Sequence, residues 1–194
     1  MKKYIVWIIG GILLLFLFRG CSSYNGLVTK DEAVSKAWGN VESDYQRRAD
    51  LIPNLVNTVK GYANFEQETL TKVIEARASA TQVKIDPTNL TPEKLAEFQQ
   101  AQGGLSSALG RLLVVAEKYP DLKANQNFLD LQAQLEGTEN RINVSRQRFN
   151  EAVNEYNTTR RSFPLVMVSS MFGFNEKGYF KADAGAEKAP EVKF

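Results

Sequence analysis

Five polar residues stand where a helical pattern calls for apolar ones: Arg48, Glu66, Gln102, Thr138 and Ser145. As chemistry they offer a guanidinium, a carboxylate, an amide and two hydroxyls. Glu66 is the candidate for a buried general acid or base, but the sequence places no nucleophile or metal-ligand set beside it. The chain has no histidine and one cysteine. Ser-His-Asp and Cys-His nucleophile pairs, imidazole-ligated zinc and the Glu-x-x-His pairs of di-iron bundles are thereby excluded. Phosphate-cradling glycine loops, dinucleotide turns and calcium loops are absent too. The expectation is a protein that is not an enzyme, with no catalytic, cofactor-binding or metal residues and no small-molecule substrate. The five residues then read as register-setting polar positions, which in coiled coils fix alignment and partner choice.

A second polar group lies in "YQRRADLIPNLVNTVKGYANFE", where Arg47, Arg48, Asp50, Asn54 and Asn57 gather around Pro53. Asp50 follows Arg47 by three residues and can pair with it along a helix. This strip is a candidate contact for a protein partner or anionic lipid; the plainer reading is a solvated face beside a kink.

The third candidate is Cys21, in "LLLFLFRGCSSYNG". One reading makes it the acylated first residue of a mature lipoprotein. Gly20 suits the required pattern, whereas Phe18 is bulky and Arg19 puts a cation where a small residue is usual. The other reading makes it a bystander at the edge of an uncleaved anchor, which those two misfits favour. The apolar run from Tyr4 to Phe18 would be about 22 Å long as a helix, against a hydrocarbon core of about 30 Å. It is short for a span, though tilt or a thinned bilayer accommodates it. Lys2 and Lys3 favour a cytoplasmic N-terminus and an exported domain. Gly20 to Gly26 would form a flexible joint between the anchor and the first helix of the domain.

These residues need long helices to position them. From Val34 the apolar positions step by four and three through Trp38, Val41, Tyr45, Ile52, Leu55, Val59 and Tyr62, resuming at Leu70, Val73 and Arg77. Thr29 or Asp31 can cap this first stripe, which runs to about Val83. Pro53 removes a hydrogen bond to Ala49, so a kink or break is expected there. The second stripe, Leu95 to Tyr119, starts from Thr91 as cap with Pro92 at the first helical position, and Gly103-Gly104 weaken its middle. A joint at Pro120-Asp121 leads into the third stripe, Phe128 to Tyr156. No stretch sustains a period of two, so the chain is all-α, a bundle with one common core.

"SFPLVMVSSMFGF" (162–174) is apolar but too short to cross a bilayer. It reads as a short helix closing the bundle, or more sharply as an interfacial segment or oligomer contact. The tail 175–194 has balanced charge and no core periodicity and reads as mobile, with Tyr179, Phe180 or Phe194 as docking residues. The divisions are therefore an anchor at 1–23, a helical domain at 24–174 and the tail at 175–194. With Lys2, Lys3 and Arg19 set aside, 21 basic residues face 22 acidic ones. That balance lacks the basic footprint of a nucleic-acid partner.

The wording of three segments is specific enough to name a resemblance. "YNGLVTKDEAVSKAWGNVESDYQRRADLIPNLVNTVKGYA", "LGRLLVVAEKYPDLKANQNFLDLQAQLEGTENRINVSRQRFNEAVNEYN" and "FGFNEKGYF" closely resemble the LemA family of bacterial proteins. The resemblance implies a membrane-anchored, antiparallel up-and-down bundle of three long helices plus a short fourth. That fourth helix would come from a break at Pro53 or Gly103-Gly104, or from 162–174. It implies no enzymatic activity, cofactor or catalytic residue. The functional expectation is a scaffold or assembly module at the bacterial cell membrane. Its partners would be the lipid bilayer, through the N-terminal helix, and a protein or further copies of itself. The alternative is an adaptor or regulator of a membrane protease or envelope stress system, docking through its C-terminal tail.

Overall fold

The structure, a computed structural model, describes residues 2–61, 66–167 and 169–182; at 2–9, 12–19 and 21 it describes the backbone alone. The described elements are helices: α1 (Lys2–Lys60), α2 (Gln67–Gln82), α3 (Pro92–Ala116), the single turn α4 (Pro120–Lys123) and α5 (Gln126–Arg161). Two 3₁₀ turns come after α5, Leu165–Met167 and Ser169–Phe172.

Cross-helix pairs fix the directions. Lys30 pairs with Glu155, Ser145 with Asp44 and Arg48 with Glu139, so α1 and α5 run antiparallel. Gln102 reaches the Ala80 carbonyl and Lys118 faces Glu66, which makes α2 and α3 antiparallel as well. Arg77 of α2 reaches Ala49 of α1, so the order along the chain is up, down, up, down.

The helix boundaries correct the sequence reading in several places. Gly20 to Gly26 is not a flexible joint, because α1 is one unbroken helix through it. Neither Thr29 nor Asp31 caps a helix start. Thr29 donates back to the Asn25 carbonyl, and Asp31 pairs with Lys177 at 2.8 Å. Nor does the helix break at Pro53. Proline lacks the N–H that would bond Ala49, but Arg77 Nε donates to that same carbonyl at 2.8 Å, so it has a partner. The first stripe is instead cut after Lys60, and its second half becomes α2, the fourth long helix. The 162–174 segment forms 3₁₀ turns rather than that helix. Gly103-Gly104 do not split α3. Two glycines weaken a helix by about 1 kcal/mol each, but Gln102, Leu105, Leu109 and Leu112 beside them are buried and hold it.

Two expected punctuation points stand as read. Thr91 accepts a hydrogen bond from the Lys94 N–H with Pro92 opening α3, and α4 forms the joint at Pro120.

The described part of the tail, Asn175 to Ala182, lies in the groove between α3 and α5, hydrogen-bonded by Gln99, Asn150 and Asn157. Among the described residues no helix is long and apolar enough to cross a membrane. The transmembrane anchor expected at 1–23 is thus not found there. Its apolar run is shorter than a full span, and most of its side chains fall outside the description, as does that of Cys21.

Burial tracks the stripes. One apolar cluster joins Val34, Trp38 and Tyr45 of α1 to Leu95 and Phe98 of α3 and to Ile142, Phe149 and Tyr156 of α5. A second joins Ile52, Leu55 and Val59 of α1 to Leu70 and Val73 of α2, Leu105 and Leu112 of α3, and Phe128 and Leu135 of α5.

Candidate functional site

Between the two apolar clusters lies a polar layer, and the heptad arithmetic explains why. Arg48 falls between Tyr45 and Ile52, Gln102 between Phe98 and Leu105, and Thr138 between Leu135 and Ile142. Each occupies the same seam as its neighbours, one step along, so the three meet at one level. Arg48 is 2% exposed. Its Nη1 donates to Ser106 Oγ at 2.8 Å and to Glu139 Oε2 at 2.9 Å, and its Nη2 donates to Gln102 Oε1 at 2.7 Å. The guanidinium also lies 5.0 Å from the Tyr45 ring centroid, within cation–π range. Gln102 Nε2 then passes the chain of bonds to the Ala80 carbonyl at the end of α2. One side chain of α1 is thus tied, directly or through one residue, to α2, α3 and α5. Thr138 lies in the layer but turns inward, donating to the Gln134 carbonyl of its own helix at 2.8 Å.

The other two register candidates stand apart. Ser145 donates to Asp44 two turns away, and Glu66 is exposed at the start of α2, 4.0 Å from Lys118. Of the strip around Pro53, Arg47, Asp50, Asn54 and Asn57 are exposed while Arg48 is buried, so the structure does not bring the five together. Asp50 accepts from Gln46 at 2.7 Å on its own helix.

An open cleft of about 470 Å³ exposes the layer, with Tyr45, Arg48, Gln102, Ser106, Glu139 and Arg146 among its walls. Its chemistry is that of a tie. Ser106 Oγ accepts a hydrogen bond from a guanidinium, which ties up a lone pair and lowers its nucleophilicity, and the charge on Arg48 is answered by a half-exposed carboxylate. Among the described residues no group of three His, Cys, Asp or Glu side chains is placed to hold a metal ion.

The same groove between α3 and α5 holds the irregular segment 175–182. Asn157 Nδ2 donates to the Lys177 carbonyl at 2.9 Å while its Oδ1 accepts from the Lys177 N–H at 3.2 Å. Asn150 treats Phe180 in the same two-way manner, at 2.9 Å each way, and Gln99 does so with Lys181 at 2.8 and 3.2 Å. Three side-chain amides therefore each pair with both the N–H and the carbonyl of a backbone residue in this segment. Phe180 enters the core against Trp38, Phe98 and Phe149, ring centroids 5.4 to 6.4 Å apart. Gly178 makes this approach possible: a Cβ there would lie 2.7 Å from Pro92 Cα.

Lys177 is buried yet fully engaged. It pairs with Asp31, reaches the Pro87 carbonyl at 3.4 Å and lies over the Tyr156 ring. The Tyr156 hydroxyl donates to the Asn175 carbonyl at 2.9 Å, and its pKa is pushed up to about 12, by burial first and the Asp31 charge second, with Arg160 opposing.

Sequence reasoning missed Arg77's capping role, the three amide clamps and the buried Lys177. The one available signal was Asn150 and Asn157, a heptad apart, each directly after a core aromatic (Phe149, Tyr156).

Fold and site together define an all-helical protein in which the buried polar groups join helix to helix and the 175–182 segment to its groove. More specifically, the chain belongs to the LemA family, whose sequence profile matches residues 37–194. It is 26% identical over 185 residues to magnetosome protein MamQ of Magnetospirillum gryphiswaldense, covering 87% of this chain and 68% of that one. Magnetosome protein MamQ 2 of Paramagnetospirillum magneticum is 27% identical over 175 residues, covering 81% and 64% respectively. Protein LemA of Metamycoplasma hominis is 25% identical over 168 residues, covering 87% and 73%. The chain thus spans about two thirds of the length of its magnetosome relatives. None of these names denotes an enzyme.

Proposed function

We propose that the protein is a non-enzymatic membrane scaffold of the bacterial cell envelope. It is held by the apolar run at 4–18, its helical domain is on the exported side, and it presents that domain to further copies of itself or to a membrane partner. The observation that carries this reading is α1, one continuous helix of 59 residues, about 88 Å long at about 1.5 Å per residue. Its first third carries the apolar run and its last two thirds form a wall of the domain, so attachment and domain move as one rod. A rod joined without a hinge fixes the height and orientation of the domain over its attachment point. That is what a spacer or assembly module needs and what a tethered enzyme sampling its substrate does not. Similarity to magnetosome proteins supports the same reading, since a magnetosome is a cellular assembly.

Cross-linking in intact membranes tests it. The expected result is a ladder of oligomers or one recurrent partner. A strictly monomeric protein with no recovered partner refutes the scaffold. Protease added to spheroplasts should digest the domain, and its protection would place the domain on the cytoplasmic side instead.

A further inference from the structure

The turns after α5 expose an unusual amount of apolar surface in a short stretch. Phe163 is 74% exposed, Met167 71%, Met171 83% and Phe172 60%, with Val166 between them at 52%. They cluster at one end of the domain. Phe172 packs edge-on against Tyr24 of α1, ring centroids 5.6 Å apart, and Phe174 packs on the same ring at 5.5 Å. The Lys30–Glu155 pair sets the antiparallel register of α1 and α5, which puts the end of α5 level with residues 22–24.

That level can be converted to a height. Tyr24 lies six residues beyond the apolar run, about 9 Å along the helix. A run of about 22 Å centred in a bilayer ends about 11 Å from the midplane, so Tyr24 sits about 20 Å from it. The hydrocarbon ends at about 15 Å and the headgroup layer at about 20 to 22 Å. The exposed apolar residues therefore fall in the headgroup layer, where aromatic and flexible apolar side chains partition favourably. Arg161, exposed in the last turn of α5, stands beside them, and a cation at that level suits lipid phosphates.

We propose that residues 163–167 and 169–172 form a membrane foot, seated in the headgroup layer beside α1. The foot rests on the reading of 4–18 as the membrane attachment. It supplies apolar contact on one side of the helix, above the level where the helix's own run ends. A rod with one lateral foot has two points of support, so the domain's rotation about the rod axis is fixed as well as its height.

The test uses full-length protein in vesicles of phosphatidylcholine and phosphatidylglycerol, with or without lipids brominated near the top of the acyl chain. Trp7→Phe removes the tryptophan of the apolar run, and Trp38 is buried in the core, so Met171→Trp adds a reporter at an exposed position. The foot predicts that bromolipid quenches the added emission at least about twofold and shifts it to the blue, at every protein-to-lipid ratio. No quenching overturns the foot, even if the protein stays in the vesicles after a carbonate wash. A blue shift that vanishes on dilution of the protein among lipids means a second copy covers the patch, and also overturns it. Quenching before the wash with loss of the protein on washing leaves the foot standing and refutes the attachment at 4–18.

Discussion

Replacing Arg77 should destabilise the fold more with Pro53 present than without it. Pro53 deprives the Ala49 carbonyl of its helical donor, and Arg77 Nε supplies one at 2.8 Å from α2. Ala49 is 3% exposed, so without Arg77 that carbonyl has little access to water. A hydrogen bond from a charged donor contributes about 1.5–3 kcal/mol, and an unsatisfied buried acceptor costs about 1–3 kcal/mol. Arg77→Met, which keeps most of the alkyl volume, is therefore expected to destabilise by about 2 kcal/mol. In a Pro53→Ala background the backbone N–H of residue 53 returns to the carbonyl, and Arg77 becomes a second donor to an acceptor already served. There Arg77→Met should destabilise by about 1 kcal/mol or less. Lost packing of the arginine stem is common to both backgrounds and cancels in the cycle. Urea unfolding of the four proteins in detergent, monitored by far-UV circular dichroism, should then give a coupling of about 1 kcal/mol or more. Independent sites add to within about 0.3–0.5 kcal/mol. A coupling inside that scatter would refute the claim that Arg77 keeps α1 whole across its proline.

Three further perturbations address the polar layer and the clamped segment. Arg48→Ala strands Gln102 and Glu139 and should destabilise by about 3 kcal/mol, the low end for a broken buried pair because Glu139 can rehydrate. Arg48→Met strands the same two groups but keeps the alkyl volume and removes the unpartnered guanidinium Nε, so it should destabilise by less, about 2 kcal/mol in urea melts, while amide exchange along α3 quickens as the register tie is lost. Gly178→Ala drives a methyl group into the Pro92 backbone and should destabilise by about 1–3 kcal/mol; limited proteolysis should then cut after Phe174, and an unchanged digestion pattern would contradict the clamp. Tyr156 has a pKa raised to about 12 against about 10 unfolded, so its contribution is complete below about pH 10 and is lost as pH climbs from about 10 to 12. Comparing urea midpoints at pH 8 and 11 with those of Tyr156→Phe isolates this term, because the variant keeps every other alkaline titration.

The sequence made the helix faces legible because burial on a helix repeats every three or four residues. All of Leu95, Phe98, Gln102, Leu105, Leu109, Leu112 and Ala116 are buried as their spacing required. The same spacing exposed Arg48, Gln102 and Thr138 as polar intruders, each one seam step of three or four residues from an apolar neighbour. What it could not reveal were partners that spacing does not encode. Whether a proline breaks a helix depends on whether the orphaned carbonyl finds another donor, and here that donor lies 28 residues away. The 175–181 segment has no periodicity because its anchorage is mainly through backbone, which leaves no pattern in side-chain types. Asn150 and Asn157 carried the complementary half of that information, but on a solvated helix asparagines are unremarkable.

The clamp also bears on how the domain is completed. Trp38, Phe98 and Phe149 come from three helices, and the ring that closes their cluster is Phe180, near the end of the described chain. The ion pair beneath it joins Asp31 to Lys177, 146 residues apart. The other cluster needs nothing beyond α5, and its α2–α3 hairpin is local. Contacts of long sequence separation form late because loop closure must precede them. The cluster nearer Tyr24 is therefore expected to close last, when the 175–182 segment lies in the groove. Its closure also orders Phe174 on Tyr24 and so sets the turns after α5 against α1. Seating of the 175–182 segment and presentation of the apolar turns are thus one event, and a truncation at Asn175 should lose both together.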